Sequence, residues 1–143
     1  MEKKRVVGYT QGVFDMFHIG HLNLLNNAKS RCDYLIVGVN SDKLVQSYKN
    51  KIPVVGEEVR KTIVENIKAV DEAHVVDTLD KVEIHGRIPF DVIFIGDDWK
   101  GSKRWSDTEA ALNALGAEVV FLPYTQNISS TILRTQKEEK VEE

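Results

Sequence analysis

Val6-Val7-Gly8-Tyr9-Thr10-Gln11-Gly12-Val13-Phe14-Asp15-Met16-Phe17-His18-Ile19-Gly20-His21 is the stretch on which the reading of this chain turns. Its apolar start reads as the first strand of a parallel sheet. Gly12 supplies a turn where backbone approaches a ligand closely. Leu22, Leu24, Leu25 and Ala28 follow at the spacing of a helix with one buried face. His18 and His21 therefore fall on neighbouring positions of the first helical turn. A helix start presents unpaired N–H groups and partial positive charge, which favours a bound phosphate. Two imidazoles there are placed to stabilise charge developing on a phosphoryl group. Taken alone, a His-x-x-His pair also fits helix caps or part of a metal site.

Outward from this stretch the chain alternates strand and helix patterns. Tyr34–Val39 is a continuous apolar run, as expected for a strand covered on both faces. Asn40-Ser41-Asp42 offers N-cap chemistry for a short helix through Val45. A lysine-bearing loop, Ser47–Pro53, precedes a helix over Glu57–Val70 with Val59, Ile63, Val64 and Ile67 at helical spacing. Ala73–Val76 reads as a strand, Leu79–His85 as a helix ended by Gly86 and Pro89, and Asp91–Ile95 as a strand. Thr108–Leu115 is a helix stopped by Gly116, Glu118–Leu122 a fifth strand, and Ser129–Lys137 a last helix. With no hairpin signal, the pattern predicts an α/β fold: one Rossmann-like three-layer domain over 1–137, a five-stranded parallel sheet with helices on both faces. Residues 138–143 read as a charged tail. Right-handed crossovers place the loops after the strands on one edge, where ligands bind in such sheets.

The chain has 143 residues, room for one domain with a real core. A net charge of -3 argues against broad nucleic-acid affinity. No apolar run approaches a membrane span and no signal-peptide pattern opens the chain, so a cytoplasmic protein is expected. Cys32 is the sole cysteine, which excludes a disulfide framework and a cysteine-based zinc site. Its neighbours suggest a buried thiol rather than a nucleophile.

Three further segments fall at the same edge. Thr125-Gln126-Asn127-Ile128-Ser129-Ser130-Thr131 follows the fifth strand and starts the last helix, where N–H groups and hydroxyls would cap the helix or grip outer phosphates. Lys49 and Lys51 precede a helix carrying Arg60; they read as solvated surface charges or as a set offsetting phosphate charge. Gly96-Asp97-Asp98-Trp99 ends the fourth strand, either as a capped turn with a packed Trp or as part of a base pocket.

Gly12-Val13-Phe14-Asp15-Met16-Phe17-His18-Ile19-Gly20-His21 resembles the signature of the HxGH nucleotidyltransferase superfamily related to class I aminoacyl-tRNA synthetases, and Phe14-Asp15 is most similar to its cytidylyltransferase branch. Ile128-Ser129-Ser130-Thr131 looks like that family's second signature, although Tyr124 stands where the family usually has arginine. The Lys-x-Lys spacing with Arg60 nine residues on resembles the glycerol-3-phosphate cytidylyltransferases. The resemblance implies a catalytic set of His18, His21, Lys51 and Arg60. It implies nucleotide contacts from Gly12, Val13, Phe14, Gly20, Asp98, Thr125, Ile128, Ser129, Ser130 and Thr131 beside the histidines and Lys51. Lys49, Lys81, Asp15 and Trp99 are then assigned to the acceptor, with Asp15 also placed to orient a histidine or approach the metal. Lys68 replaces a further family arginine, keeping charge but losing the planar fork.

The function so implied is direct transfer from CTP to a small phosphorylated alcohol, glycerol 3-phosphate as first choice, giving a CDP-linked product and pyrophosphate. Mg2+ would accompany the triphosphate, no dedicated metal ligands are expected, and the family resemblance implies a homodimer. Phosphocholine, phosphoethanolamine and sugar or amino-acid phosphates are alternative acceptors, and ATP an alternative donor. A non-catalytic nucleotide-binding module is the alternative from another class.

Overall fold

Strand segments of five to seven residues alternate with short helical segments along this protein. A computed structural model describes residues 5–96 and 102–123. The elements are β1 (Val7–Gly12), α1 (Ile19–Lys29), β2 (Tyr34–Asn40), α2 (Asp42–Lys49), α3 (Glu57–Glu65), β3 (Glu72–Val76), α4 (Lys81–Arg87), β4 (Val92–Gly96), α5 (Lys103–Ala114) and β5 (Glu118–Leu122). All pairings are parallel, in the order β3-β2-β1-β4-β5. The three-layer α/β fold expected from the sequence is the one observed. Strand order reverses between β1 and β4, which places the ligand crevice beyond their carboxyl ends.

The pleat divides the core in two. Leu35, Val37, Val39 and Phe94 meet Leu25 and Ala28 of α1 and Val64 of α3 on one face. Tyr9, Ile36, Ile93 and Ile95 meet Ile84 of α4 and Trp105 and Leu112 of α5 on the other. Among the described residues no helix is long and apolar enough to cross a membrane.

Several sequence boundaries are corrected. The helix expected over Glu57–Val70 ends at Glu65, and its inward residues are Arg60 and Val64, whereas Val59 and Ile63 face solvent. An arginine is tolerated on the inner face because its guanidinium donates to four acceptors there. The helix expected from Thr108 begins at Lys103, where the Ser102 hydroxyl accepts from Trp105 N, so Lys103, Arg104 and Trp105 form its first turn rather than a loop. Lys49 is likewise the last residue of α2, which ends at Asn50 in the left-handed conformation. The expected helix Ser129–Lys137 and the tail 138–143 lie outside the described residues.

Gly38 in β2 lets the Tyr9 side chain cross the sheet, since a methyl group there would overlap the Tyr9 hydroxyl. Gly38→Ala is expected to lower the unfolding free energy by about 1–3 kcal/mol, read as a lower urea midpoint at unchanged slope. An unmoved midpoint would show that the packing tolerates the methyl.

Candidate active site

The Gly12–His18 turn is built under local strain. Phe14 and Met16 both take positive φ, 54° and 49°, without being glycine. The surroundings hold it there: Phe14 is buried, and Asp15 accepts from Val54 N and Val55 N, each at 2.9 Å. Phe14 and Phe17 then pack their rings on His21, with centroids 5.4 and 5.3 Å away.

His18 is the N-cap of α1. Its Nδ1 accepts from Gly20 N at 3.0 Å, and His21 Nδ1 accepts from His18 N at 3.2 Å. This is a reciprocal capping box made by two imidazoles. Both Nδ1 lone pairs are occupied, so the neutral tautomer of each ring carries its proton on Nε2. The rings stack with centroids 3.9 Å apart and 20° between planes, which disfavours two positive charges. Burial pushes the His18 pKa down. Burial first, then the His18 charge, takes His21 down to about 4, against an opposing pull from Asp15. At neutral pH the pair is two neutral Nε2–H donors at a positive helix end. Both rings cap the helix through Nδ1, which leaves the Nε2–H of each ring unused by the cap.

Arg60 has no solvent exposure to offer a ligand. Its Nε donates to Val55 O at 2.7 Å, its Nη1 to Val13 O and Asn40 O at 2.8 Å each, and its Nη2 to Asp42. The residue assigned to phosphate is therefore an internal clamp between the exits of β1 and β2 and the loop before α3. Asp15, assigned to the acceptor, is engaged with that same loop.

Beyond the carboxyl edge of the sheet lies a cavity of about 540 Å³. Gly12 and Val13 line it, as do Lys49 and Lys81, so four residues picked out from the sequence converge there. Tyr48, Arg104 and Trp105 join them. The Lys81 ammonium donates to Leu79 O at 2.9 Å and lies 5.6 Å from the centroid of the Trp105 ring. Burial, with help from Arg104 and against Asp80, lowers its pKa to about 8. His18, Gly20 and His21 sit at the α1 start and do not line the cavity, and Lys51 is exposed in the loop outside it. Phe14 is core. Asp98, Trp99, Thr125, Ile128, Ser129, Ser130 and Thr131 lie outside the described residues.

Gln11 and Asn40 also face the cavity, and sequence reading passed over them. Each is a polar residue near the carboxyl end of its strand, a signal that marks the crevice but not the hydrogen bonds between them. Among the described residues no three His, Cys, Asp or Glu side chains gather where a metal would sit. Cys32 donates to Ala28 O at 3.4 Å, and burial raises its pKa, as suits a structural thiol.

The cytidylyltransferase-like family model matches residues 9–136. Glycerol-3-phosphate cytidylyltransferase of Bacillus spizizenii is 36% identical over 132 residues, covering 92% of this chain and 95% of that protein. FAD synthase of Thermococcus onnurineus is 34% identical over 125 residues, 86% of this chain and 83% of that one. The chain spans only 27% and 26% of the length of two bifunctional HldE proteins that it also matches. Among solved structures, a lipopolysaccharide core biosynthesis protein from Thermoplasma volcanium superposes with a TM-score of 0.72 at 27% identity, over 85% of this chain and 98% of that one.

Because the folded chain keeps His21 neutral down to about pH 4, it binds fewer protons than the unfolded chain between there and pH ~6.5. Stability is therefore lost as pH falls through that window. His21→Asn keeps an acceptor at the capping position and removes the titration, so its curve of unfolding free energy against pH should be flatter than that of wild type, by up to roughly 2 kcal/mol at pH 4. Parallel curves for the two proteins would overturn the assignment.

Proposed function

The chain belongs to the cytidylyltransferase-like family and is a nucleotidyltransferase, and from that membership we propose that it transfers the cytidylyl group of CTP to glycerol 3-phosphate. An oxygen of the acceptor phosphate attacks the α-phosphorus in line. The bond from the α-phosphorus to the bridging oxygen breaks, pyrophosphate leaves, and CDP-glycerol is formed. The histidine capping box carries this reading: its two neutral Nε2–H groups are fixed before substrate arrives. As negative charge builds on the α-phosphate oxygens, preorganised donors stabilise it without reorganising. No covalent nucleophile is required, so catalysis rests on positioning and electrostatics.

Lys49, Lys81 and Arg104, which border the cavity, supply the positive field for the acceptor phosphate. Lys51, exposed nearby, is left for the outer phosphates. Mg2+ belongs with the triphosphate, held by phosphate oxygens and water; no protein cage for it is seen among the described residues. Glycerol 3-phosphate is preferred as acceptor because the relative that aligns over nearly its full length is named for it. CTP is preferred as donor on the same ground.

His18→Asn retains a good helix cap but removes the Nε2–H. It should lower kcat by about 100-fold or more while the Kd for CTP moves less than about threefold. Pyrophosphate release is the measurement, with CTP and ATP compared at equal concentration on the wild-type protein. Equal kcat in the variant, or release that depends on ATP alone, would sink the proposed reaction.

A further inference from the structure

Four polar side chains run in one hydrogen-bonded line from the core to the rim of the cavity: Tyr9, Gln11, Asn40 and Tyr48. The direction of each hydrogen is fixed. Gln11 Nε2 donates to Thr78 O at 2.9 Å, an atom that can only accept, so Gln11 Oε1 must face the Tyr9 hydroxyl, which donates to it at 2.7 Å. The same nitrogen donates to Asn40 Oδ1 at 2.8 Å, which turns Asn40 Nδ2 toward Tyr48. Asn40 Nδ2 then donates to the Tyr48 oxygen at 3.0 Å. Tyr48 accepts at that end, and no described residue takes its own hydrogen. Burial holds the phenol above its ordinary pKa, so that hydrogen stays in place at neutral pH.

The rest of the cavity offers donors as well. Its described lining contains no Asp or Glu, and the amide oxygens of Gln11 and Asn40 are engaged in the line just traced. Two of the lining's aromatic rings each carry one of the protein's own cations. The Lys81 ammonium lies over Trp105 at 5.6 Å, and the Lys49 ammonium over Tyr48 at 5.8 Å. A quaternary or primary ammonium would find no carboxylate in the described lining and would meet three like charges.

We propose, building on the transferase reading above, that Tyr48 is a specificity-determining residue for the acceptor. Its O–H, with Lys49, Lys81 and Arg104, makes a subsite of donors that selects an anionic, hydroxyl-bearing phosphate and rejects acceptors with a cationic head. The line from Tyr9 sets the polarity of this subsite from inside the core.

The test compares wild type with Tyr48→Phe, which keeps the ring and removes the hydroxyl at an exposed rim position. With glycerol 3-phosphate the variant should show an acceptor KM about 5- to 10-fold higher, with kcat and the KM for CTP within about twofold. Wild type should use phosphocholine at least about 100-fold less efficiently than glycerol 3-phosphate. Calorimetric titration with glycerol 3-phosphate alone keeps two failures apart. Weaker binding by the variant supports the subsite even if no turnover is found, in which case the transfer reading fails and this one stands. An unchanged acceptor KM and Kd in Tyr48→Phe, or equal use of phosphocholine, overturns the proposal while leaving the transfer reading intact.

Discussion

The Arg60 guanidinium is the fixed point to which the carboxyl edge of the sheet is referenced. Its bonds reach Val13 after β1, Asn40 at the end of β2, Asp42 at the start of α2 and Val55 in the loop before α3. A buried cation is tolerable only when its donors are satisfied, so those four backbone and side-chain acceptors must converge wherever the guanidinium sits. The strained Gly12–His18 turn is held against the same loop through Asp15. Removing the clamp would therefore release both strand exits together, and with them the two sides of the site. Its buried position explains how a charged residue comes to occupy the inner face of α3, where the apolar pattern alone points to Val59 and Ile63.

The histidines show a second economy of this kind. Helix starts normally take Ser, Thr, Asp or Asn as caps, and those groups finish their work at the backbone. Imidazole has a second ring nitrogen on the far side. Using Nδ1 for the cap orients the ring, settles the tautomer and leaves Nε2–H aimed away from the helix. Burial, joined at His21 by the charge of His18, then keeps the pair neutral at neutral pH.

The sheet was legible from the sequence because β2 and β4 are short apolar runs buried on both faces, and alternation with helices leaves little choice of topology. Helix ends were less legible. The N-cap that starts α5 at Ser102 rather than near Thr108 depends on a hydroxyl that reads as one more loop serine. At the site, glycines and lysines near strand ends were recognisable by residue type and order: Gly12, Lys49 and Lys81 do reach one cavity. Arg60 was misjudged because charge alone does not tell whether a cation faces a ligand or backbone carbonyls. Tyr48, Gln11 and Asn40 were missed because their meaning lies in the hydrogen-bond line between β1, β2 and α2, a relation that sequence spacing does not encode.

Lys81 carries a last implication. Held near pKa 8 by burial beside Arg104, it is partly deprotonated in mildly alkaline solution while the cavity is empty. An arriving dianion would restore its charge and draw in about half a proton per molecule at pH 8. Occupancy of the pocket and proton uptake are thereby linked, so the apparent heat of association should vary with the ionisation enthalpy of the buffer.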